Sequence, residues 1–105
     1  MQRILLIDPD EDHAQELAGN LRAARYLVER FAASTEALDR IEQRTVEFAA
    51  VIIALRRDHG ESWTTLKQFA TRNLHLPIVC IARVYAGPKL RLDIEHLGAR
   101  LVYER

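Results

Sequence analysis

The stretch FAAVIIAL at 48–55 is apolar at every position and β-branched at its centre. A strand of that composition has no face to offer water. It has to lie inside a sheet that is covered on both sides, the environment of a central parallel strand. A second run, ILLI at 4–7, has the same character and is ended by Asp8-Pro9.

Between these runs the hydrophobic period changes. Ala14, Leu17, Ala18, Leu21 and Ala24 recur at helical spacing and define one face. Asp10, Glu11 and Asp12 stand at the start of that helix, where acids suit the positive end of the helix dipole. Residues 27–31 read as a weaker strand. Ser34 and Thr35 are candidate N-caps for a helix carrying Ala37, Leu38 and Ile41. After a polar loop containing Gly60, Ser62 is expected to cap a helix bearing Trp63, Leu66, Phe69 and Ala70. Pro77 opens a strand, IVCIA at 78–82. Gly87-Pro88 breaks the chain again, with Pro88 placed for a helix start. Leu90, Ile94 and Leu97 face one way on that helix, and Gly98 suits the position just past its end. Residues 101–103 form a last short strand. Strands alternating with helices predict right-handed crossovers and a parallel sheet with helices on both faces. The sequence stops at Arg105, directly after the fifth strand, where a further helix is expected. Its absence is read either as natural or as truncation.

A chain of 105 residues, 49% hydrophobic and 29% charged, is long enough for one domain and too apolar for disorder. Lys+Arg and Asp+Glu each number 15, so no basic excess points to nucleic acid. Cys80 stands alone, which excludes an internal disulfide and a Cys-rich zinc site and fits a reducing compartment. The first residues are too few and too acidic for a signal peptide, and no run approaches the ~20 apolar residues of a membrane helix. A cytoplasmic protein is expected, with no membrane or direct nucleic-acid partner. DPDEDHA after the first strand lacks every glycine of a phosphate-cradling GxGxxG loop, and no GxSxG is present. No enzymatic activity is expected.

Ligands of open parallel sheets bind at the carboxyl ends of the strands. Asp8, Pro9 and Asp10 follow the first strand. Ala54 ends the third, before Leu55, Arg56, Arg57 and Asp58. Ala82 and Arg83 end the fourth, and Glu104 and Arg105 follow the fifth.

The ILLIDPDED opening, the FAAVIIA and PIVCIA strands and the LGARLVYER segment, in this order and spacing, resemble the receiver domain of two-component response regulators. The resemblance covers nearly all of 1–105, up to the last helix. It implies a flavodoxin-like α/β fold with strand order 2-1-3-4-5. It also implies a pocket in which an acidic pair after the first strand holds a divalent cation. In that pocket an aspartate ending the third strand accepts a phosphoryl group, a Thr or Ser ending the fourth bonds it, and a Lys ending the fifth neutralises it. Carried over residue by residue, the match is incomplete. Asp8 matches the first acid, but Pro9 stands where the second is expected. Ala54 falls at the phosphoacceptor position, Ala82 replaces the hydroxyl residue and Arg105 replaces the lysine. A methyl group is no nucleophile. The resemblance therefore implies a degenerate phosphorylation pocket of Asp8, Pro9, Asp10, Ala54, Ala82 and Arg105. It carries no catalytic, cofactor-binding or metal-binding residue, and its Mg2+ binding is weak or lost. One hypothesis is that a guanidinium (Arg56, Arg83 or Arg105) takes the cation or phosphate place and pairs with Asp8.

Other residues carry a sharp and a bland reading. Asp58, or Asp8, is the acceptor if the domain is phosphorylated after all; Asp58 otherwise reads as a solvated loop acid. Cys80 is a redox sensor or, more simply, a core thiol. His13, His59, His75 and His96 lack ligand spacing and are read as surface or loop residues. Trp63 marks an interface or caps the core edge. Tyr85, Leu92 and Tyr103 are the expected interaction face, beside the last helix and strand. The function expected is a phosphorylation-independent receiver-like module that docks a protein partner, its own output domain or a second copy of itself. The rivals are a phosphorylatable receiver in a phosphorelay and a structural or sensory fragment of a larger transcriptional regulator.

Overall fold

The computed structural model describes residues 1–44, 47–55, 60–72, 75–83, 85 and 87–104, and for residues 44, 60 and 61 the backbone only. The chain alternates strictly: β1 (Arg3–Ile7), α1 (Glu11–Ala23), β2 (Leu27–Phe31), α2 (Ser34–Arg44), β3 (Phe48–Ala54), α3 (Gly60–Thr71), β4 (Ile78–Ala82), α4 (Pro88–His96) and β5 (Arg100–Tyr103). The strands form one sheet in the order β2-β1-β3-β4-β5, and every pairing is parallel. This is the flavodoxin-like architecture that the receiver resemblance implies. β1 and β3 lie at its centre, and Leu5, Leu6, Val51 and Ile53 are closed to solvent.

Alternation along the strands divides the core in two. On one face Leu5, Ile7, Val51, Ile53, Cys80 and Leu101 pack with Ala37, Leu38 and Ile41 of α2, Leu66 and Phe69 of α3 and Ile94 of α4. On the other face α1 lays Ala14 and Ala18 against Ile4, Leu6 and Ile52. The small alanines let the helix come close. Val79 and Ile81 are only half-buried on the α1 side, and Val102, beside Ile81 in register, is 49% exposed. Trp63 sits half-buried at the core edge with the Lys67 ammonium over its ring. Among the described residues no helix is long and apolar enough to cross a membrane.

Local signals explain the helix ends. Asp10 is the N-cap of α1 and accepts from the His13 N–H, with Glu11 and Asp12 in the first turn. Pro88 opens α4. Gly98 follows that helix at φ +87°, a left-handed conformation that costs a residue with a Cβ roughly 1–2 kcal/mol. One expectation is corrected: Ser62 does not cap α3. That helix begins at Gly60, so Ser62 lies in its first turn, buried, and its hydroxyl donates to the Ala54 carbonyl at 3.4 Å.

Phe69 is closed to solvent and joins α3 to the larger half of the core. Phe69→Ala is expected to cost roughly 3–5 kcal/mol, out of a total near 5–15 kcal/mol for a domain of this kind. A urea titration should show the midpoint falling with little change in slope.

Candidate functional site

Because all five strands run the same way, their carboxyl ends share one edge. The ladders continue one residue past several strands. Asp8 N–H donates to Phe31 O at 3.0 Å, Leu55 N–H to Ile81 O at 2.8 Å and Glu104 N–H to Ala82 O at 2.8 Å. Ile7 pairs with Ile53 and Ala82 with Tyr103, so Asp8, Ala54, Ala82 and Glu104 mark positions along the same edge. Ala54 and Ala82 are buried there.

Asp8 is 1% exposed and satisfied on every side. One carboxylate oxygen accepts from the Asp10 N–H at 3.0 Å. The other lies 2.5 Å from Nδ1 of His13. Its main-chain carbonyl accepts from Nε and Nη2 of Arg30, at 3.1 and 2.7 Å. A buried carboxylate needs this saturation, since an unpaired one costs far more than an unmade neutral hydrogen bond.

His13 is the residue that the sequence reading misplaced. It is not on the surface or in a loop: it lies in the first turn of α1 and is 6% exposed. Its Nε2 is 2.6 Å from a carboxylate oxygen of Glu104, just past β5. The ring thus stands between two carboxylates. A neutral imidazole carries one N–H and one acceptor nitrogen, and the acceptor would face an oxygen lone pair on one side or the other. Only the imidazolium donates both ways. Burial, the largest single influence on the ring, works against its charge. The hydrogen bonds from Glu104 and Asp8, with the attraction of both carboxylates, outweigh it and raise the pKa above the usual 6.5. The helix dipole disfavours a cation in a first turn, by about 0.3–1 kcal/mol at most exposed sites. Two carboxylates in contact exceed that.

The expected partner of Asp8 was a guanidinium, and the structure places an imidazole there instead. Among the arginines considered, Arg83 is described and lies 3.9 Å from the Glu104 carboxylate. Arg56 and Arg105 lie outside the described residues, as does Asp58. Pro9 is exposed and has no side-chain donor or acceptor; Asp10 serves as the helix cap. The donor set does not fit the divalent cation that the receiver resemblance implies. Both Asp8 oxygens are engaged, Pro9 offers none, and no cluster of His, Cys, Asp and Glu among the described residues is arranged to hold a metal ion. His13 was legible in principle: it precedes Ala14 and lies four residues before Leu17, on the inner flank of the apolar face. Its second partner, 91 residues away in sequence, gave no local signal.

Tyr85, Leu92 and Tyr103 lie at the α4–β5 side. Tyr85 and Leu92 are 69% and 66% exposed. The Tyr85 and Tyr103 rings meet at 5.6 Å, and the Arg91 guanidinium lies 5.6 Å over the Tyr103 ring while donating to Leu101 O at 3.0 Å. Cys80 is buried in β4, and burial pushes its thiol up to about 12, which accords with a core thiol.

No protein-family model matches the chain, and no curated protein matches it. Solved structures do match. The non-phosphorylated HemR receiver domain from Leptospira biflexa is 27% identical, with a TM-score of 0.77 over 98% of this chain and 80% of that one. A two-component response regulator from Clostridium difficile is 24% identical, with a TM-score of 0.78 over 99% of this chain and 82% of that one. A chain in the CheX–CheY–BeF3–Mg2+ complex from Borrelia burgdorferi is 13% identical, with a TM-score of 0.84 over 99% of this chain and 78% of that one. The fold is that of response-regulator receiver domains.

The His13 pKa is raised in the folded chain, so its contribution to stability is fully present below the unfolded value near 6.5. It is lost as pH rises through the folded value. The titratable and charged groups around the ring are Asp8, Asp10, Glu104 and Arg83. Thermal midpoints of the native chain should fall from mildly acid to mildly alkaline pH. In His13→Gln that decline should flatten.

Proposed function

We propose that this chain is a receiver-like signalling module that works without phosphorylation, as a cytoplasmic, non-catalytic protein-interaction domain. The observation that carries this reading is the residue at the carboxyl end of β3, Ala54, whose buried methyl group offers no nucleophile. The neighbouring positions support it. Ala82 at the end of β4 has no hydroxyl to bond a phosphate, Pro9 offers no metal ligand, and Asp8 has both oxygens engaged within the chain. Asp8 is thereby a poor acceptor as well.

What such a module offers a partner lies on the α4–β5 side. Tyr85, Tyr103, Arg91 and Leu92 combine aromatic, guanidinium and exposed apolar surface, the composition that recurs in binding hot spots. The Borrelia burgdorferi complex that contains a chain of similar fold joins CheX to CheY, which supports a protein surface as the partner of this scaffold. A second copy of the chain is the simplest such partner.

The test is to treat the full chain with acetyl phosphate, or with beryllofluoride, in the presence of magnesium. Unchanged intact mass and unchanged amide spectra are expected, together with a weight-average mass that rises with concentration in light scattering. An aspartyl adduct on any residue, Asp8 and Asp58 included, would overturn the phosphorylation-independent reading.

A further inference from the structure

The divalent cation implied by the fold and the residues of this edge disagree, and the disagreement has a definite form. Asp8 is buried with an imidazole nitrogen at 2.5 Å, and the other nitrogen of that ring reaches Glu104 at 2.6 Å. These groups belong to three elements. Asp8 follows β1, His13 rises from the first turn of α1, and Glu104 follows β5. β1 and β5 are not neighbours in the sheet, since β3 and β4 lie between them. The ring therefore spans the edge at a place where no backbone ladder connects its two partners.

We propose that the His13 side chain is the resident cation of this edge. Its imidazolium takes over the charge-neutralising place of a divalent ion and ties the end of β1 to the end of β5 in one permanent arrangement. Charge decides the geometry. Asp8 and Glu104 facing one another without a cation would repel, and one of them is almost wholly buried. A donor on each side of one rigid ring bonds both acids and fixes the distance between them, and its single positive charge offsets one of their two negative ones. The Arg83 guanidinium, just past β4, lies 3.9 Å from the same Glu104 oxygen but is largely exposed and adds little to the hold.

The tie has a reach beyond the edge. Glu104 follows Tyr103 directly, and Tyr103 is the residue under Arg91 and against Tyr85. Holding Glu104 holds the end of β5, whose last ladder bond runs from Glu104 N–H to Ala82 O. The aromatic pair is thus kept in one position by a contact made on the far side of the strand end. His13 is a positioning residue in this account.

Two measurements on the full chain test it. Urea unfolding of His13→Gln, Glu104→Gln and the double variant at mildly acid pH forms a thermodynamic cycle. Coupling of about tenfold or more in the unfolding constant is expected; independent, multiplicative effects of the two substitutions would overturn the tie. Manganese is then added to isotope-labelled native chain. The amides of Asp8 and Glu104 should keep their intensity, whereas their selective broadening would show a metal displacing the ring and overturn the resident-cation role. Should His13→Gln fail to fold, Glu104→Gln alone serves. Faster hydrogen exchange at the Tyr103 and Glu104 amides is expected, and unchanged exchange would sink the proposal. None of these readouts involves phosphate, so a phosphoryl adduct would defeat the preceding section's reading and leave this one standing.

Discussion

A histidine ring with a carboxylate against each nitrogen is held toward its doubly protonated form, and a charge buried in that way needs its partners. His13 is in this position, and much of the carboxyl edge is arranged around it. Asp10 caps α1, and its side chain receives the His13 N–H. That fixes the first turn, and the first turn aims the ring at the edge. Arg30 clamps the Asp8 carbonyl, so the acid on one side cannot drift. Glu104 comes from the other end of the sheet to meet the second nitrogen. Take away the ring, and Asp8 becomes a buried carboxylate beside a second acid with nothing between them.

The arrangement depends in turn on the sheet beneath it. β1 and β3 are buried on both faces along most of their length, and the helices that connect the parallel strands provide that cover. Parallel strands deliver their carboxyl ends to one place. What this chain delivers there is a methyl group at Ala54, another at Ala82, a proline, and the triad of Asp8, His13 and Glu104. In the proposed reading, the fold of a receiver domain is kept while its reactive and ligating groups give way to a hydrogen-bonded bridge. That is the physical content of the proposed phosphorylation-independent role, and it leaves the α4–β5 surface with Tyr85 and Leu92 as the place for a partner.

Much of the fold was legible in sequence for local reasons. FAAVIIAL and ILLI announced buried strands by composition, the 14–24 stripe announced α1 by its period, and Asp10, Pro88 and Gly98 marked helix ends by backbone chemistry. Where the reading faltered, the deciding contact was distant or the local signal had a competitor. Ser62 resembled an N-cap, yet α3 starts at Gly60 and the hydroxyl finds the Ala54 carbonyl. His13 reads as a surface or loop residue in sequence because the four histidines show no ligand spacing. One of the two acids that hold it in its buried place, Glu104, lies at the other end of the chain. Arginine was the expected partner of Asp8 because several follow the strands. The shorter, flatter ring already present in α1 takes the place.

The most direct test of the bridge is the nitrogen chemical shifts of the His13 ring in the native chain at neutral pH. The account predicts that Nδ1 and Nε2 both carry protons that exchange slowly with solvent, and that both signals move when Glu104 is replaced by Gln. A ring with a single proton in the ordinary neutral tautomer, or one exchanging as fast as the solvent-exposed His96, would contradict it.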